Sequence, residues 1–121
     1  MMTFEQLEAW RVARGVVNTV YSISRRSPLD RDFGLCSQIQ RAAVSIMTNI
    51  AEGFERKHVA EKLQFYNIAR ASNGELRSLL YLVEDNYTNL AEQSIAVRED
   101  LAPLGRLISG LMRSTQQRQN S

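Results

Sequence analysis

Residues 38–53 read "QIQRAAVSIMTNIAEG", and the spacing within this stretch decides the fold. Ile39, Ala42, Ala43, Ile46 and Ile50 recur three and four residues apart, the signature of a helix with one buried side. Gln38, Arg41, Ser45, Asn49 and Glu52 form a second row. At 100° per residue that row lies about 120° from the centre of the apolar arc. The polar row therefore flanks the core, and it is mixed in character where an exposed helix face would be coated with Lys and Glu.

The same period extends outward in both directions. Phe4, Leu7, Trp10, Ala13, Val17 and Val20 form a stripe that ends before "SRRSPLDRD", where Pro28 breaks the chain. Asp30 and Asp32 favour the start of the central helix, and Gly53 reads as its C-terminal cap. After the tight connection "FERKH", His58 and Glu61 have capping-box spacing. Leu63, Phe65, Ile68, Ser72, Leu76, Leu79 and Val83 then define a third helix. Leu101, Leu104, Ile108 and Leu111 define a fourth, which Pro103 should kink or loosen one turn earlier, near Glu99. The helices are expected at about 3–25, 31–53, 58–86 and 91–115, with residues 116–121 a frayed polar tail. No stretch alternates as a strand would. Four helices with short connections make an all-α, antiparallel up-down-up-down four-helix bundle, a single domain over residues 1–115.

Composition excludes several classes. The chain has 121 residues, 44% of them apolar and 23% charged, as in an ordinary soluble domain. No apolar run approaches the ~20 residues of a membrane span, and the acidic start "MMTFEQLEAW" is unlike a signal peptide. A cytoplasmic protein without a membrane partner is expected. Cys36, the single cysteine, falls in an apolar helical row and reads as a small core residue. The net charge of +2 leans only weakly toward anionic partners, and 13 of the 15 basic residues are Arg.

Catalytic and metal chemistry find little support. Glu55-Arg56-Lys57-His58 matches Glu-x-x-His by letter but falls in a turn, and a di-metal bundle needs a second histidine that the chain lacks. No metal or cofactor is expected, nor a catalytic residue. The alternative is a small enzyme using Glu52 and Glu75 in a cleft between subunits. Lys62, Tyr66, Arg70 and Arg77 share a flank of the third helix, a strip suited to following a phosphate backbone and stacking a base. A hairpin turning near residues 55–58 would bring Gln38 and Arg41 beside Glu75 and Ser72, and Glu52 beside Glu61. Arg41 is then expected to pair with Glu75 at the rim of the core, a structural role for the polar row. Gly15, Gly74, Gly105 and Gly110 fall within helices, which suggests close helix approach within the bundle or between subunits.

The run "FGLCSQIQRAAVSIMTNIAEGFERK", with "FEQLEAWRVA" before it and "FYNIARASNGEL" after it, resembles a family of small bacterial four-helix bundles. These are the ribosomal RNA intervening-sequence proteins, some of them encoded within inserts in 23S ribosomal RNA genes. The most specific matches are Gln38, Arg41-Ala42-Ala43, Ser45-Ile46 and Asn49-Ile50-Ala51-Glu52-Gly53, followed by Ile68-Ala69, Ser72 and Glu75-Leu76. Met47 stands where the family pattern has proline, and Asn73-Gly74 where apolar or small residues are usual. The resemblance implies a homo-oligomeric ring, most often a pentamer, without enzymatic activity. Its relative, the accessory protein of diversity-generating retroelements, implies RNA or a protein partner such as a reverse transcriptase, met through Arg-bearing surfaces.

Overall fold

A computed structural model describes residues 1–119, and those residues form four α-helices and no strand. A 3-10 turn at Phe4–Gln6 leads into α1, Glu8–Ser24. A second turn at Leu29–Arg31 precedes α2, Phe33–Glu55. α3 spans Val59–Asn86, and a third turn at Thr88–Leu90 opens α4, Ala91–Gln119. Each helix packs on its neighbour in the chain, and α1 closes the ring against α4. With connections only at 25–32, 56–58 and 87–90, consecutive helices must run antiparallel, which gives the up-down-up-down bundle.

The central stretch behaves as its spacing requires. Ile39, Ala43, Ile46 and Ile50 are fully buried and meet Leu76 and Leu80 of α3 and Leu101, Leu104 and Ile108 of α4 in one core. Asp32 starts α2 by accepting the Leu35 N–H at 3.0 Å, which satisfies one of the free donors of the first turn. Its other carboxylate oxygen accepts the Tyr87 hydroxyl at 2.7 Å, tying the start of α2 to the end of α3. The Tyr87 hydroxyl, then the Leu35 N–H, hold the Asp32 carboxyl below its ordinary range. Cys36 is buried, donates to the Leu29 carbonyl at 3.1 Å, and has its thiol pKa raised by desolvation.

Local structure departs from the sequence reading at five points. α2 does not stop at Gly53 but continues to Glu55, and no glycine has a positive φ. Gly53 is a packing residue: a Cβ there would lie 2.6 and 2.7 Å from ring carbons of Tyr66. Within the chain, the glycines expected at close helix contacts are not demanded by packing. Gly15 and Gly74 have nothing within 4 Å, and Gly105 and Gly110 meet only side-chain atoms, at 3.9 and 3.8 Å. His58 makes no side-chain capping bond, so the expected capping box is absent. Pro103 does not interrupt α4. It removes one donor, the acceptor left over belongs to exposed Glu99, and water can hydrate that carbonyl. The tail expected from residue 116 is helical through Gln119, anchored by buried Thr115, whose hydroxyl donates to the Leu111 carbonyl. Residues 120 and 121 lie outside the described residues.

Candidate nucleic-acid interface

The polar row of α2 divides between two surroundings. Ser45 Oγ lies 2.7 Å from Ser72 Oγ of α3, and the Asn49 amide donates to the Ser45 carbonyl and hydroxyl at 2.8 and 3.0 Å. Ser72 is buried, so this small network satisfies hydroxyls at the edge of the core. Gln38, Arg41, Glu52 and Glu75 are exposed. Arg41 does not pair with Glu75; the ion pairs among the described residues are Arg56–Glu52 and Arg98–Glu84. Ser72 faces Ser45, one helical turn beyond the expected position opposite Arg41, and Arg41 and Glu75 both keep their charges in solvent. The Tyr66 ring sets that register by lying against the bare Gly53 backbone.

Arg41 instead borders a depression of about 650 Å³ on the α1–α2 side, shared with Tyr21, Phe33 and Val44. Glu52 is bound at 3.0 Å by Arg56, the residue that follows the last turn of α2. Within one chain, Glu52 and Glu75 share no buried acidic site. No cluster of metal-ligating side chains occurs among the described residues.

The basic strip expected on α3 also separates. Tyr66 is 1% exposed and cannot stack on a base. Burial pushes its hydroxyl pKa up. Lys62 is half-buried and donates to the Phe54 carbonyl at 2.7 Å, capping the last turn of α2, with its pKa lowered first by burial and then by Arg118. Arg70 and Arg77 remain exposed. The strip fails as a unit because the inward-facing position belongs to Tyr66, which the α2 register buries.

A different set of basic residues meets across α3 and α4. Arg70 and Arg77 of α3, with Arg106 and Arg113 of α4, surround a groove of about 610 Å³. Each pair is separated by seven residues, so both rows rise about 10 Å along their helices. The floor is shallow because Gly74, Ala102 and Gly105 carry little or no side chain there, and Ser109 adds a hydroxyl. Asn73 lies beneath and donates to the Leu101 carbonyl at 3.0 Å, holding the two helices together. No carboxylate lines the groove, and none of the four guanidiniums is in an ion pair among the described residues. Arg70 donates only to the Asn67 side chain, at 2.9 Å. Four uncompensated positive charges around a concave surface focus the field and attract polyanions.

Arg106 and Arg113 were missed by the sequence reading, although their seven-residue spacing copies that of Arg70 and Arg77. Spacing alone could not show that α4 lays its row beside that of α3.

Four residues beyond Arg77 on α3 and four before Ala102 on α4, Tyr81 and Arg98 belong to a clamp. Arg98 of α4 donates to both carboxylate oxygens of Glu84 at 2.7 and 2.8 Å, and the Ser94 hydroxyl adds a donor at 2.9 Å. The Arg98 hydrogen bonds, chiefly, hold the Glu84 carboxyl below its ordinary pKa. The Arg98 guanidinium lies over the Tyr81 ring, 4.1 Å from its centroid, and donates to the Tyr81 hydroxyl at 3.1 Å.

Comparison with known proteins agrees with this architecture. The family model described as "23S rRNA-intervening sequence protein" matches residues 5–110. Among solved structures, a protein of unknown function from the S23 ribosomal protein family of Bacteroides thetaiotaomicron is similar, with a TM-score of 0.72 and 23% identity. The match covers 86% of this chain and 94% of that one, a likeness of fold. No curated protein matches the chain.

Proposed function

The chain belongs to the 23S rRNA-intervening sequence protein family, and we propose that it is a non-catalytic RNA-binding protein acting through the arginine groove of α3 and α4. The observation that carries this reading is the convergence of Arg70, Arg77, Arg106 and Arg113 on one furrow that no carboxylate lines. Arginine suits phosphodiesters because its planar fork donates two parallel hydrogen bonds to phosphate oxygens. The choice of RNA among polyanions follows the resemblance to the retroelement accessory protein, since the family's name records only where some of its genes lie. The proposal includes self-assembly into a ring, favoured by large apolar groups left in solvent, Phe33 at 80% and Leu82 at 47% exposure. No helix among the described residues is long and apolar enough to cross a membrane, and the proposed setting is the cytoplasm.

Fluorescence anisotropy with labelled RNA at several salt concentrations tests the binding. Four phosphate contacts to a single strand give a slope of log K against log salt of about −2.8, or roughly 50-fold weaker binding from 50 to 200 mM salt. The double variant Arg70→Gln/Arg77→Gln should bring the slope near −1.4. A salt-independent affinity, or one unchanged in the variant, refutes the groove as the RNA site. Light scattering showing a monomer refutes the ring.

A further inference from the structure

We propose that Tyr81 is a base-stacking platform at the end of the arginine groove, so that the RNA form this protein takes is single-stranded. The inference rests on the RNA reading above and deepens it.

Register supplies the placement. Arg70, Gly74, Arg77 and Tyr81 follow at four, three and four residues, so they share one stripe of α3, and Tyr81 lies about 6 Å beyond Arg77. On α4, Arg98, Ala102, Gly105 and Ser109 repeat the same intervals in the opposite direction. Arg98 meets Tyr81 where the two stripes end. The aromatic ring is thus the next feature along the furrow after Arg77, within reach of a base whose phosphate is held there.

The geometry of the ring is that of a surface built to be stacked on. Tyr81 is 50% exposed, whereas the residues that hold it are not: the side chains of Arg98 and Glu84 are 20% and 13% exposed. The two-point Arg98–Glu84 pair already ties α3 to α4 and needs no ring. What the ring adds is a flat apolar surface, backed on one face by a fixed guanidinium and held at its hydroxyl. A platform immobilised before binding loses little rotamer freedom when a base settles on it. Paired bases in a duplex keep their faces inside the helix and cannot use it. The groove itself is lined by no aromatic residue, so its contacts are with the backbone and Tyr81 alone provides stacking.

Two labelled probes test this on the full chain: a 12-nucleotide single strand carrying one 2-aminopurine, and a blunt duplex of the same sequence. Tyr81→Ala should weaken binding of the single strand about 5- to 150-fold, the range for loss of one stacked base. It should leave the salt slope and the duplex affinity unchanged. Tyr81→Phe keeps the ring and should bind as the wild type does, and quenching of 2-aminopurine on binding should disappear only in the alanine variant. A far-ultraviolet spectrum establishes that both variants fold. If Tyr81→Ala binds the single strand like the wild type while Arg70→Gln/Arg77→Gln weakens it, the platform is refuted and the groove stands. That is also the result expected of a ring that serves a protein partner. If the wild type binds neither probe in a salt-dependent way, the RNA reading fails and the platform fails with it.

Discussion

Replacing Gly53 by alanine tests the contact that sets the register of α2 against α3. The added Cβ would lie 2.6 Å from Tyr66 Cε1, 2.7 Å from Cδ1 and 3.2 Å from the Lys62 carbonyl oxygen. Carbon atoms rest at about 3.5–4.0 Å, so the ring must retreat by roughly 1 Å. Tyr66 is 1% exposed, and the ring has no solvent to move into. Overpacking of this kind costs about 1–3 kcal/mol, against a gain of up to about 1 kcal/mol in helix propensity. Gly15→Ala is the matched control, since Gly15 is exposed within α1 and has nothing within 4 Å. It should stabilise by about 1 kcal/mol. The two variants share their chemistry, so the difference between them isolates the steric term, about 1–3 kcal/mol in favour of Gly15→Ala. Urea unfolding followed by circular dichroism, at one protomer concentration, measures it. Tyr66→Leu in the Gly53→Ala background should cost less than the sum of the single changes. Equal stabilities for the two alanine variants would show that Tyr66 does not press on Gly53, and the account of the register would be wrong.

Acid should destabilise the fold through Asp32 and Glu84. Both carboxyls titrate below their ordinary values of 3.8 and 4.5, so their contribution is complete above about pH 4.5 and lost as pH falls through the folded values. Glu84→Gln should be less stable than the wild type at pH 7, by about 1–2 kcal/mol, because Arg98 loses its partner. The same variant should show a smaller decline between pH 7 and pH 3 in urea titrations; an equal decline would remove Glu84 from the acid response. Ser45→Ala leaves the Ser72 hydroxyl without its partner and should cost about 1 kcal/mol, whereas exposed Arg41→Ala should stay within about 0.5 kcal/mol. A larger cost for Arg41 in thermal melts would return it to the structural role first expected of it.

The polar row of α2 shows how far the sequence could be read. Its flanking position follows from the helical period alone. Ser72 meets Ser45 where Arg41 was expected, because register depends on where a hairpin turns and on which bulky side chain finds room beneath which glycine. The signal was present in Gly53 itself, but a glycine near a helix end serves equally well as a cap or as a gap for a neighbour. Tyr66 and Tyr81 carry the same lesson. Each is a tyrosine on α3 beside basic residues, yet one is in the core and the other half in solvent.

The sequence by itself determined the all-helical bundle. Apolar residues at intervals of three and four leave each helix a single face to bury, and short connections leave antiparallel packing as the arrangement. Its family was also legible there, in the residues around Arg41 to Gly53. The tertiary structure decided which charges stand together. The arginines of α3 and α4 become neighbours only through the offset between two antiparallel helices, and side-chain packing sets that offset to within one turn. Periodicity fixes the angle of a residue around its own helix but not its height against the next.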